Sequence, residues 1–277
     1  MQKQWAIKQA LNQLEGGTVD DVSDVIREID AAEIPENDKQ KALEDFRTEI
    51  SILKSLRHPN IVLLLAYSTT EDLEVMISEL MKCSLLDIFK AHIINGTKMK
   101  RKDRIAYAIQ LAQGMLYLHT CKPVIIHRDL KPANLLIDHS GVLKVADFGL
   151  SKVRPDPKKN EKDTFMMTGE TGSYRFMAPE IFRHLDYNET VDVYSYGMIL
   201  FYLLDGKPPW PTENGLVAAR KASDEGDRPR MPRSWDNRLQ LLLQECWDEN
   251  PSARPSFHQI LKVLRQYSRK YLYCENC

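Results

Sequence analysis

The stretch from His127 to Gly149 constrains this chain more than any other. It opens with His127-Arg128-Asp129-Leu130-Lys131-Pro132-Ala133-Asn134 and continues through apolar Leu135-Leu136-Ile137. A turn at His139-Ser140-Gly141 follows, and Leu143-Lys144-Val145-Ala146-Asp147-Phe148-Gly149 closes it. Two short apolar runs around a Gly-bearing polar turn predict a β-hairpin. Such a hairpin sets Asp129 and Asn134 on one side and Asp147 on the other, facing one small volume. One carboxylate there can orient a hydroxyl and take its proton, while a second, with an amide oxygen, can hold Mg²⁺ on phosphates. Phosphoryl transfer from ATP requires such a set. The bland alternative is an ordinary hairpin with polar turn residues.

The triplets His127-Arg128-Asp129 and Asp147-Phe148-Gly149 occur together, correctly spaced, with Lys131 and Asn134 in register between them. This resembles the catalytic loop and metal-binding triplet of protein kinases. The resemblance implies an α+β, bilobal protein-kinase fold. Its N-lobe is a small sheet with a helix, incomplete or degenerate at its start, and its C-lobe is mainly helical. It implies a start of the N-lobe over residues 1–36, its remainder and the hinge over 37–81, the C-lobe over 82–267 and a tail over 268–277. It further implies catalytic roles for Asp129, Lys131 and Asn134, and Mg²⁺ ligation by Asn134 and Asp147.

Composition agrees with such a chain. The 277 residues suffice for one large domain or two lobes. Lysine and arginine number 38 against 39 aspartate and glutamate, so nothing points to nucleic acid or an anionic membrane as main partner. The apolar run from Met198 to Leu204 is too short to span a bilayer, and no charged-then-apolar leader opens the chain. Five scattered cysteines fit a reducing, cytoplasmic setting. A lone C-x-x-C at Cys274 and Cys277 lacks the second pair that a zinc site needs.

The first segment departs from the kinase pattern. Trp5-Ala6-Ile7-Lys8 resembles the strand whose lysine contacts the α- and β-phosphates, yet too few residues precede Lys8 for a Gly-rich loop. The partner of that lysine should be Glu49, in Phe46-Arg47-Thr48-Glu49-Ile50, roughly twenty residues on. Lys8 lies about twice as far away as that spacing asks. Val25-Ile26-Arg27-Glu28-Ile29 has nearly the right spacing but offers Arg27, whose guanidinium is a poor substitute for an ammonium at a tight site. Spacing favours Arg27, but motif identity favours Lys8, and Lys8 is taken as the ATP-binding lysine. Gly16-Gly17 reads as a plain turn rather than a relic of the phosphate loop.

From Asn37 onward the pattern is orderly. Asn37 or Asp38 is expected to cap a helix running through Leu56, with Ala42, Phe46, Glu49, Ile50 and Leu53 on one side. Ile61 to Ala66 and Leu73 to Ile77 are expected as strands. By resemblance Ser78-Glu79-Leu80-Met81 is the hinge whose backbone pairs with adenine. Ser78 would line the rear of the ATP pocket, and Leu136 would form the adenine floor. Helices are expected over Ser84–Ile94, Arg101–His119 and Thr190–Leu204, with a strand at Val124–Ile126.

Residues 147–180 contain a polar stretch that reads as a solvated loop. Its far end, Met167 to Glu180, resembles the activation segment of the tyrosine-kinase-like group, particularly Raf-like and integrin-linked-kinase-like members of plants and protists. Lys131, two residues after Asp129, is the Ser/Thr-kinase pattern. The same resemblance makes Arg128 the receiver of a regulatory phosphate on Thr168 or Thr171, Thr171 slightly ahead. It places Asp192 against the catalytic-loop backbone, Phe148 against Leu53 and His127, and Arg254 opposite Glu180.

The resemblance covers about Ala42 to Tyr267. It implies an ATP- and Mg²⁺-dependent serine/threonine kinase acting on protein substrates, with Glu49 anchoring the N-lobe lysine. A pseudokinase or scaffold, or a fragment of a normal kinase, is the alternative that the missing Gly-rich loop raises. Oligomeric state is not legible.

Overall fold

A computed structural model describes residues 36–70, 73–153 and 173–272. The chain divides into two units, residues 1–48 and 49–277. The first described element is helix α1, Glu36–Leu53. It ends at Leu53 rather than Leu56, and Asn37 and Asp38 stand inside its first turn rather than capping it. Its exit tightens, with Ser55 and Leu56 donating to the carbonyls of Ile52 and Leu53 three residues back.

Strands β1, Leu64–Thr70, and β2, Leu73–Ser78, form an antiparallel pair. Both are longer than the alternation predicts. Ser68, Thr69 and Thr70 pair with Val75, Glu74 and Leu73 rather than forming the loop that their polarity suggests. β-branched threonine suits a pleated strand, and the pairing supplies the backbone bonds. Ile61, expected in the strand, instead makes an isolated parallel bridge to Val145.

The larger unit is built on helices. Strand β3, Cys83–Ser84, leads into α2, Leu85–Ile94. Ser84 caps α2 reciprocally: its hydroxyl accepts from the Asp87 amide at 3.1 Å, and the Asp87 carboxylate accepts from the Ser84 amide at 2.9 Å. Helix α3, Arg101–Thr120, buries Ile105, Ala108, Leu111, Ala112, Met115 and Leu118 at spacings of three and four. Strand β4, Ile125–Ile126, pairs antiparallel with β7, Lys152–Val153, a strand that periodicity does not single out. Between them β5, Leu135–Ile137, and β6, Leu143–Val145, form the expected hairpin, with β3 added to the free edge of β5.

Short α4, Pro179–Phe182, precedes α5, Thr190–Asp205. Every residue of α5 from Val191 to Leu203 is buried, as a helix apolar all round requires. Burying one such large side chain contributes about 1.5–3 kcal/mol. Of its polar groups, Ser195 donates to the Phe176 carbonyl at 2.7 Å and Tyr196 to the Ala108 carbonyl at 3.0 Å, while the buried Tyr194 hydroxyl has no hydrogen-bond partner among the described residues. Gly206 ends the helix at φ +83°, a left-handed cap that glycine takes without a Cβ clash. Helices α6, Gly215–Asp224, α7, Asn237–Cys246, and α8, Phe257–Leu272, complete the unit. Helix α8 runs on past Tyr267 to Leu272.

Candidate active site

The hairpin β5–β6 is tied into the fold by residues far from it in sequence. The Val145 amide donates to the Asn60 carbonyl at 2.9 Å, and the Val62 amide donates to the Val145 carbonyl at 3.0 Å. The buried Asn60 side chain donates to the Leu143 carbonyl at 2.9 Å, and the Gln110 side-chain oxygen accepts from the Leu143 amide at 2.8 Å. At Gly114 of α3 an added Cβ would stand 2.8 Å from the Asn60 carbonyl oxygen, so only glycine allows this approach. Sequence reading assigned no role to Asn60, Gln110 or Gly114. At the tip, the Asp138 carboxylate accepts from the Ser140 and Val142 amides, and Gly141 lies at φ +82°.

The loop between β4 and β5 carries the cluster. Lys131 Nζ lies 2.9 Å from Asp129 Oδ2. Asn134 Nδ2 donates to the Asp129 backbone oxygen at 2.9 Å and to Asp129 Oδ2 at 3.0 Å. These bonds orient the Asn134 amide and leave its Oδ1 as the remaining acceptor. Burial pushes the Asp129 carboxyl above the ordinary carboxylate range; Lys131 opposes that shift and Asp147 adds to it. Asp147 is exposed at the end of the hairpin, in the left-handed region at φ +66°.

Arg128 is also left-handed, at φ +68°, which costs a non-glycine residue about 1–3 kcal/mol. Asp192 of α5 compensates by accepting from the His127 amide at 2.9 Å and the Arg128 amide at 2.8 Å. His119, which sequence reading passed over, lies with Nε2 2.8 Å from the same carboxylate. Burial would raise the Asp192 pKa, but hydrogen bonds and charge from His119 and His127 outweigh it and hold the group below its ordinary value. The fully buried His127 ring lies 5.1 Å from Phe148, with Nε2 3.0 Å from the Ala146 carbonyl oxygen. Leu53 is buried as well. The Arg128 guanidinium donates to the Leu150 carbonyl at 2.5 Å and the Tyr187 hydroxyl at 2.6 Å.

Beside the cluster, Val62, Leu136 and Ala146 form one buried apolar patch, with Met81 packed against it. Glu79 stands nearby with its side chain occupied: Oε1 accepts from the Leu63 amide at 2.8 Å and from Lys144 at 2.9 Å. Ser78 is exposed at the end of β2. Glu49 is buried, and its Oε1 accepts from the Phe148 amide at 3.2 Å. Farther off, Arg254 makes a buried two-pronged pair with Glu180 at 2.5 and 2.9 Å.

The structure thus brings Asp129, Lys131 and Asn134 into contact, with Asp147 close enough to Asp129 to shift its proton affinity. Lys8, Arg27, Gly16, Gly17, Thr168, Thr171, Cys274 and Cys277 lie outside the described residues. For a divalent cation, the donors on offer are one carboxylate, Asp147, and one amide oxygen, that of Asn134. All-oxygen donors in so small a number suit Mg²⁺, which keeps water and takes phosphate oxygens for its other positions. Among the described residues no cluster of three or more His, Cys, Asp or Glu is placed to hold a metal by itself.

A loop that pairs a carboxylate with lysine and amide, beside a second carboxylate and an apolar patch, defines a phosphotransferase-type site on a kinase fold. The chain belongs to the protein kinase family: the model of the protein kinase domain matches residues 16–264. That span begins after Lys8, includes Arg27, and extends the likeness well before Ala42. The chain is 41% identical over 233 residues to the serine/threonine-protein kinase VIK of Arabidopsis thaliana, covering 83% of this chain and 52% of that protein. It is 36% identical over 237 residues to the serine/threonine-protein kinase STY17 of the same plant (85% and 40%). It is 38% identical over 229 residues to the dual specificity protein kinase shkA of Dictyostelium discoideum (82% and 42%). The chain spans about half the length, or less, of these relatives. Among the described residues no helix is long and apolar enough to cross a membrane.

Proposed function

We propose that this chain is a serine/threonine protein kinase domain that transfers the γ-phosphate of ATP, with Mg²⁺, to hydroxyls of protein substrates in the cytoplasm. The observation that carries the reading is the contact of Lys131 and Asn134 with Asp129 on a loop braced by Asp192. The names of the relatives support the choice of serine and threonine.

Asp129 is the base. Its carboxylate orients the substrate hydroxyl and accepts its proton. Its raised proton affinity suits that task, because a very weak base would take the proton poorly. Lys131, held against Asp129, brings a positive charge to the group in transfer. Asn134 keeps the Asp129 carboxylate in one orientation and has Oδ1 left as an acceptor, which with Asp147 would hold Mg²⁺. Bound Mg-ATP supplies the transferable group and the charge that offsets its own. Val62, Leu136 and Ala146, with Met81, offer an apolar face to adenine, and the backbone of Glu79 and Met81 offers its hydrogen-bonding edge. Ser78 belongs to the same hinge. Glu49, held by the Phe148 amide, would anchor the cation of the first strands, either Lys8 or Arg27. Arg128 is the receiver for a phosphate on Thr171 or Thr168, in exchange for the hydroxyl of Tyr187.

The test is transfer of labelled γ-phosphate from Mg-ATP to a generic basic protein. Transfer that stops with Asp129→Asn supports the reading. Transfer that continues in that variant, or none from the folded unaltered chain, overturns it.

A further inference from the structure

Helix α8 carries four basic side chains on one stripe. His258, Lys262, Arg265 and Arg269 follow at intervals of four, three and four, so they stand above one another on a single helix face. All four are exposed, and among the described residues none has a hydrogen bond or ion pair. Elsewhere in the unit some basic side chains are engaged, Arg183 and Arg228 with Glu249, Arg238 with Asp236, Arg254 with Glu180, while among the described residues exposed Lys90, Lys102, Lys122 and Arg220 are not; what sets the stripe apart is the alignment of four on one face. From Phe257 to Leu272 the helix holds no aspartate or glutamate. The helix dipole accounts for Arg269, in the last turn, and offers nothing to Lys262, in the second turn. Like charges at these intervals also repel one another. Within the fold, then, Lys262, Arg265 and Arg269 repel one another with no carboxylate partner among the described residues to offset them.

The stripe borders a shallow, open groove of about 290 Å³ beside α3, whose lining adds Leu116, Gln266 and the edge of Leu261 to the four basic side chains. We propose that this groove docks an acidic segment of a partner protein. Aspartate or glutamate side chains of the segment meet the stripe. Charge complementarity fixes the sign of the partner. The surface itself separates a peptide from a membrane, since among the described side chains no large apolar one of α3 or α8 is exposed to enter a bilayer. Nucleic acid is disfavoured by the narrowness of the cationic surface in a chain of net charge −1.

The probe is a fluorescein-labelled peptide of repeated Glu-Glu-Leu, followed by anisotropy with the full chain. Binding is expected at low salt and weakens as salt rises. Lys262→Glu with Arg265→Glu should weaken it at least about tenfold, and Lys262→Gln with Arg265→Gln by less, because each exposed charge contributes to the encounter. A Gln-Gln-Leu peptide should not bind. Both residues are exposed, so unchanged thermal melting is expected, and the neutral pair serves if the reversed pair misfolds. Equal binding by unaltered and substituted chains, binding of the glutamine peptide, or no binding of the acidic peptide overturns the proposal. So does retention of phosphatidylserine vesicles or a single-stranded oligonucleotide, lost in the reversed pair, when the acidic peptide is not retained. None of these outcomes depends on phosphoryl transfer, so the docking surface and the kinase reading stand or fall separately.

Discussion

Asp129 sits between two opposing neighbours. Burial and Asp147 raise its proton affinity, and Lys131 lowers it. A base works only when ionised, so transfer should fall on the acid side at a pH above the ordinary carboxylate range. Lys131→Ala removes the opposing charge, so the acid limb of the rate profile should move to higher pH. It should also cost roughly 100-fold in turnover, the scale of losing one preorganised donor. An acid limb that stays in place in that variant would mean that Lys131 does not govern Asp129. Asp192 behaves oppositely, since its folded-state pKa is depressed. It therefore contributes stability that is present above its unfolded pKa of about 3.9 and is lost as pH falls through the folded value. Asp192→Asn should destabilise the chain by about 1–3 kcal/mol at neutral pH, one buried amide losing its acceptor. Urea unfolding of both proteins across the acid range should show the gap closing as pH falls.

The elements that hold these residues were legible to different degrees. The β5–β6 hairpin was plain, because two apolar runs around Gly141 are a local signal. The braces on it were not. Asn60 reaches Leu143 across 83 positions and Gln110 reaches it across 33, while His119 reaches Asp192 across 73. A buried amide reads like a surface amide until its partner is known. Polarity alone also hid the ends of β1, where threonines pair across the strand. Gly114 is the sharpest test at this scale. Gly114→Ala would drive a Cβ against the Asn60 carbonyl, and overpacking of this kind costs about 1–3 kcal/mol. Thermal melts should show the loss, with transfer falling as the hairpin shifts. The Glu180–Arg254 pair was named from the resemblance and is found buried and two-pronged. Arg254→Ala should cost about 3–5 kcal/mol by stranding the Glu180 charge, read as a lowered denaturation midpoint.

At the scale of the whole molecule, the helical part and the catalytic loop follow from residues 49–272, while the role of the first residues of the chain does not. Two cations are proposed as the partner of Glu49, Lys8 by motif and Arg27 by spacing, and the family match beginning at residue 16 contains only the second. Spacing rules weaken there because the pattern of glycines that normally anchors them is absent from residues 1–36. Lys8→Ala and Arg27→Ala, assayed singly, separate the two. The central claim is that Asp129 serves as the base of a working transferase, and one measurement addresses it most directly. Labelled γ-phosphate transfer from Mg-ATP is compared between the unaltered chain and Asp129→Asn, with both shown to be folded by their melting curves. The account expects transfer by the first and a loss of at least about 100-fold in the second. Equal transfer by the two proteins would contradict it.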